Sequence, residues 1–181
     1  MKHHILTTVL ALCASPAFAQ SATMEPVPPA ASLTAHADFK DQAGAAVGSA
    51  RLTQLPKGVL VELDLKGLSP GLHGFHIHQT GKCEGAAKFA SAGGHFAGAG
   101  HDHGYQSAAG PHAGDLPNLI VPENGLLKLQ VFTSGVSLSE GATSLFDTDG
   151  SALVIHAKAD DYRSQPAGDS GDRIACAVVE K

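Results

Sequence analysis

No stretch of this chain keeps a helical period for three turns, whereas several alternate apolar and polar residues with a period of two. Leu33, Ala35, Ala37 and Phe39 alternate with Thr34, His36 and Asp38; Val59, Val61, Leu63 and Leu65 with Leu60, Glu62, Asp64 and Lys66; and Leu127, Leu129 and Val131 with Lys128 and Gln130. That period places successive side chains on opposite faces of a strand, one face for a core and one for water. Residues 152–156 and 174–179 are shorter apolar runs of strand length. The turn clusters LSPGLHG, VPENG, DTDG and QPAGDSGD separate these runs. Short strands with frequent turns indicate a β-sandwich or a small barrel.

Two segments fit no strand, residues 79–118 and residues 157–172. A loop as long as the first is either functional or a sign of misreading, and its content argues for function. It carries Cys83, His95, His103, His112 and Asp115 among many glycines. Beside it lie His76 and His78 in GFHIH, and further on His156 in LVIH. Neutral imidazole and carboxylate are the ligands that zinc and copper prefer. Residues two apart on a strand share a face, about 6.5–7 Å apart, so His76 and His78 can grip one ion, with His156 from a neighbouring strand as a third ligand. The loop can fold His95, His103, His112 and Asp115 into one tetrahedral site, which suits zinc. Seven ligands make two four-coordinate sites only if one is shared, and His95 has the position to bridge.

The rest of the chain describes an exported protein. Lys2, an apolar stretch over residues 5–13 and Ala17-Phe18-Ala19 before Gln20 form the pattern of a secretory signal over residues 1–19. The apolar run is too short to span a bilayer. Bulky Leu12 before Cys13 disfavours a lipid anchor, so no membrane anchor is expected. Residues 20–31, rich in Pro and Ala, read as a flexible leader, and residues 32–181 as one domain. The whole chain has a net charge of −5, and losing the signal, whose one charge is Lys2, makes it more negative. With no basic cluster, nucleic acid and anionic membrane are not expected partners. Cys13 leaves with the signal, and the even remainder, Cys83 and Cys176, suggests a disulfide in an oxidising compartment.

GLHGFHIHQTGKC, SAGGHF, HGYQSAAGPHAGDLPNL, GSALVIHAKADDY and AGDSGDRIACAV, in this order, resemble the copper/zinc superoxide dismutase family, in its bacterial exported branch, from about Leu33 to the C-terminus. The resemblance implies an all-β fold, an eight-stranded Greek-key barrel (an immunoglobulin-like sandwich) with two long functional loops. It implies copper on His76, His78, His95 and His156, and zinc on His95, His103, His112 and Asp115. It also implies a Cys83–Cys176 disulfide, Arg173 beside the copper, and Asp160 hydrogen-bonded to one histidine of each site. The activity implied is conversion of superoxide to dioxygen and hydrogen peroxide. His95 would carry a proton, and Arg173 would attract the anion. The periplasm is the expected location, with full secretion also open, and a homodimer is compatible with the chain.

One segment departs from the family pattern. Where the family usually continues GGHF with Asn-Pro, this chain has Ala97-Gly98-Ala99-Gly100, and His101 then competes with His103 as ligand. Spacing from His95 and His112 favours His103. His73 reads as a packed or backbone-bonded histidine, His36 and His101 as exposed, and Lys158 and Arg163 as ordinary surface cations. Arg173 has a rival reading as a surface cation paired with Asp169 or Asp172. A copper-storing protein would also want His-x-His on a strand, but would need neither a bridging His95 nor Arg173. A metal-free interaction domain would be expected to have lost ligands. A two-metal hydrolase fits worse, since no His-x-His-x-Asp-His run follows Phe75.

Overall fold

A computed structural model describes residues 32–98 and 101–181. The expected signal (1–19), the leader (20–31), and Ala99 and Gly100 lie outside the described residues. Eight strands follow in chain order: β1 Thr34–Asp41, β2 Ala46–Leu55, β3 Gly58–Leu65, β4 Gly71–His78, β5 Asp115–Val121, β6 Leu127–Thr133, β7 Ala152–His156 and β8 Arg173–Val178. All pairs are antiparallel, in the sheet order β5-β4-β7-β8-β1-β2-β3-β6. β5 and β6, consecutive in the chain, form the two edges, so the sheet curls into a nearly closed barrel. The β3–β4 and β6–β7 connections cross between distant places in this order and create the Greek-key path.

The two kinds of apolar pattern have different physical origins. β1 and β3 bury every second residue: Ala35, Ala37 and Phe39 in one, Val59, Val61, Leu63 and Leu65 in the other. Their opposite faces meet water. β7 is buried at all five positions because both of its faces are covered. Leu153 and Ile155 join the barrel core with Phe75 and Ile77 of β4. Ala152 and Val154 face outward, onto a second apolar cluster with Phe89, Ala92 and Cys176. Such two-sided burial gives a continuous apolar run rather than an alternation. Leu33 precedes β1 and is exposed, and Leu129 stays exposed on the edge strand β6.

The expected loop over residues 79–118 is shorter in the structure. Asp115 opens β5, which pairs with β4 in the register His76 to Asp115. Proline and asparagine in DLPNLIV hide this strand from a pattern reading, and its edge position explains why Pro117 is tolerated. The same loop contains two single-turn 3-10 helices, Gly85–Ala87 and Ala90–Ala92. Cys83 and Cys176 form a disulfide, with Cα atoms 5.6 Å apart, that fastens this loop to β8.

Candidate metal centre

The alternation of β4 builds the site. Phe75 and Ile77 point into the barrel, so His76 and His78 point out, yet both are fully buried. The loops over residues 79–114 and 157–172 cover them. The register brings His156 of β7 beside β4 from one side, and an irregularity between Ile155 and His156 re-aims this last residue. Asp115 stands opposite His76 on the other side. His95 joins through a bridge to His78. Gly74 lets the second loop approach: its N–H donates to Lys158 O at 2.7 Å, and a Cβ there would meet the Ser170 side chain at 2.8 Å.

Ligand-capable atoms of His76, His78, His95 and His156 lie within 4.8 Å of one another. Each ring spends one nitrogen on the protein. His76 Nε2 donates to Asp160 Oδ2 at 2.8 Å and His78 Nδ1 to Gly93 O at 3.0 Å. His95 Nδ1 lies 2.8 Å from Asp115 Oδ1, and His156 Nδ1 lies 3.1 Å from Gly171 O and 3.0 Å from Ser170 Oγ. The remaining four nitrogens, His76 Nδ1, His78 Nε2, His95 Nε2 and His156 Nε2, are buried without a hydrogen-bond partner. Orphaned buried polar atoms are costly and rare, and four aimed at one place are what a metal ion would satisfy.

A second group converges on one oxygen. The Nδ1 atoms of His95, His103 and His112 lie 2.8, 3.2 and 3.3 Å from Asp115 Oδ1, and those of His95 and His103 are 3.3 Å apart. A tetrahedron with zinc–ligand bonds of about 2.0–2.1 Å has edges of about 3.3 Å. The other carboxylate oxygen, Oδ2, accepts the N–H groups of Gly104 at 2.8 Å and His112 at 3.0 Å, which fixes its orientation. By mutual distance alone the group is His76, His95, His103 and Asp115, without His112. Nε2 of His76 is taken by Asp160, however, and its Nδ1 is one of the four orphaned atoms, so His112 is the better fourth member.

Without metal, His103 and the rings of the first group differ in their protonation tendencies. Burial, the adjacent His95 and Arg173 hold His78 well below the ordinary histidine range. Burial also lowers His95 to about 4, against the pull of Asp115, and burial with the nearby His76 lowers His156 to about 3. These rings are neutral, the form that binds metals. His103 is different: burial opposes its charge, but hydrogen bonds to Asp115 and Asp160 outweigh it and raise the ring to about 9. Both carboxylates are held below the ordinary carboxylate range despite burial, mainly by their histidine partners.

Asp160 joins the groups. Its Oδ2 accepts from His76 Nε2 at 2.8 Å and its Oδ1 from His103 Nε2 at 2.9 Å. Asp161 points away, capping the Arg163 and Ser164 N–H groups on the surface. Arg173 opens β8 and donates to Phe89 O at 2.7 Å and Gly93 O at 2.6 Å. It has no carboxylate within 4.0 Å among the described residues, Asp169 and Asp172 included, so its charge is oriented but not neutralised. With His95, His156, Pro166 and Gly171 it lines a cavity of about 370 Å³ that opens to solvent.

The remaining histidines among the described residues lie outside the cluster. His101 is exposed and bonds Ala109 O, and His36 is exposed beside Glu180. Buried His73 ties Ser69 O to His156 O. Asn118, Gln165 and Ser170 support the site but were not singled out from sequence. Asn118 lies within β5 and the other two in the loop after β7, and only the backbone or ring partner of each reveals its part.

The copper/zinc superoxide dismutase (SODC) family model matches residues 46–179. Superoxide dismutase [Cu-Zn] 2 of Aquifex aeolicus is 45% identical over 149 residues, covering 81% of this chain and 86% of that one. Among solved structures, a superoxide dismutase-like protein from Bacillus subtilis superposes with a TM-score of 0.76 at 36% identity, covering 79% of this chain and 96% of that one. The Cu/Zn superoxide dismutase from Brucella abortus superposes with a TM-score of 0.66 at 27% identity, covering 82% and 100%. With the barrel and the paired ligand groups, these matches make the chain a member of the copper/zinc superoxide dismutase family.

Proposed function

We propose that this protein is a superoxide dismutase that holds copper on His76, His78, His95 and His156 and zinc on His95, His103, His112 and Asp115. Two superoxide anions and two protons become dioxygen and hydrogen peroxide. The observation that carries this reading is the set of four unpartnered buried nitrogens, beside a second group with tetrahedral spacing. When bound, copper supplies the one-electron couple that accepts an electron from one superoxide and returns it to the next, while zinc supplies fixed positive charge.

The protein's own residues supply the rest. Arg173 offers an uncompensated guanidinium at the cavity that leads to His95 and His156, and it draws and orients the anion. The two backbone carbonyls that hold it fix its direction without cancelling its charge. His95 has one nitrogen toward each group, and its Nε2 is the site for a proton on the way to the departing peroxide. Asp160 keeps the tautomers of His76 and His103 fixed. The disulfide and the secretory pattern of residues 1–19 support export to the periplasm.

Metal analysis of purified mature protein loaded with both metals, alongside superoxide removal, tests the proposal. One copper and one zinc per chain with activity are expected. A single bound ion, or zinc with copper excluded, would overturn the binuclear assignment.

A further inference from the structure

Gln165 closes its side-chain amide onto the backbone of His103. Its Oε1 accepts the His103 N–H at 2.9 Å, and its Nε2 donates to His103 O at 2.9 Å. A neighbouring strand would satisfy a residue in the same way, through both backbone groups at once. The same Nε2 also donates to Arg163 O at 3.1 Å. The loop around Gln165 is braced by Gly168 N–H to Ser164 O at 2.7 Å and Asp161 N–H to Gly168 O at 2.9 Å. Asp160, five residues earlier in that loop, holds the His103 ring at Nε2. One loop therefore grips this histidine at both its ring and its backbone.

Ala97-Gly98-Ala99-Gly100 has no side chain beyond a methyl group, and glycine carries the greatest conformational freedom of any residue. We propose that Gln165 is a positioning residue for zinc. It sets the His103 backbone so that Nδ1 faces Asp115 Oδ1, now 3.2 Å away. This rests on His103 being a zinc ligand. Outer partners of a metal ligand are typically worth ~10–100-fold in affinity, and Gln165 supplies its share through the main chain. The copper group has no such dependence on Gln165, because its rings are held by Asp160, Gly93, Asp115, Gly171 and Ser170.

The test uses the mature protein loaded with both metals and follows the release of each metal to a chelator. Gln165→Met keeps the length of the side chain and removes both hydrogen bonds. Zinc release about tenfold faster or more, with copper release unchanged, is the expected result. Gln165→Asn keeps the amide on a shorter arm, and a rate between wild type and Met is expected; it decides the matter if the Met variant does not fold. Zinc release at the wild-type rate, or equal acceleration of both metals, would overturn the proposal. His103→Ala separates the two levels of the argument. If it too retains zinc like wild type, the zinc assignment itself fails; if it loses zinc while Gln165→Met does not, only the role of Gln165 fails.

Discussion

His78 and Arg173 draw on a single oxygen: Gly93 O accepts Nδ1–H of His78 at 3.0 Å and the guanidinium of Arg173 at 2.6 Å. One carbonyl thus sets the direction of a proposed copper ligand and of the cation proposed to meet the substrate. The short turn that carries it lies just before His95, so ligand, bridge and cation are placed by one piece of backbone.

Arg173→Ala is expected to keep both metals and to lower the second-order rate with superoxide by about tenfold at low salt, the lower end of electrostatic steering. Arg173→Glu should lower it further. Arg173→Lys restores the charge but not the planar fork that spans Phe89 O and Gly93 O, so its rate should fall between. Rates measured at two ionic strengths check this, because the alanine variant should depend less on salt.

Asp160→Asn should weaken zinc retention by ~10–100-fold and alter the copper spectrum while the barrel still folds. An amide cannot accept from both rings at its two ends, since one end is a donor. Asp161→Asn should do much less, because the Asp161 carboxylate serves only the surface N–H groups of Arg163 and Ser164 and the Ser164 hydroxyl. Chelator competition on both variants checks the difference, and equal effects would contradict it.

Cys83→Ser should cost up to about 4–5 kcal/mol on the chain-entropy account of closing a loop this long. The loss should reach activity as well as stability. Cys83 tethers the segment that presents Phe89 O to Arg173, so the variant should show a lower rate even when fully metallated. Thermal unfolding and the superoxide rate, measured on the same preparation, check both parts.

Metal-free protein should lose stability as the pH falls from about 6.5 toward 3. His95 and His156 have folded-state values near 4 and 3, below the unfolded value of 6.5. The unfolded chain therefore binds their protons first, and stability present above pH 6.5 is lost as the pH falls through the folded values. His103 works in the other direction: raised to about 9, it contributes stability below pH 6.5 that is lost as the pH rises through 9. Denaturant midpoints across this range should show both limbs, and bound metal should flatten them.

What the sequence reveals follows from which contacts demand a residue type. Strands β1 and β3 were legible because one face meets water and the other the core. β2 was not, since Gly48 and the register shift between Phe39 and Lys40 interrupt its period. β5 was lost inside the ligand loop because Asp115 belongs to both. The residues gathered into the two groups were legible because metals accept few side chains. Asn118 was not: its amide brackets the Asp160 N–H at 2.8 Å and C=O at 2.9 Å. An asparagine within an edge strand has many uses, and nothing in its type singles out that one.

The two-ended grip of Asp160 gives the two histidine groups one shared carboxylate. Holding His76 with one oxygen and His103 with the other, it cannot favour one group's geometry without biasing the other's. Any factor by which zinc tightens the binding of copper must then equal the factor by which copper tightens zinc. The order in which the ions arrive changes the path but not the total.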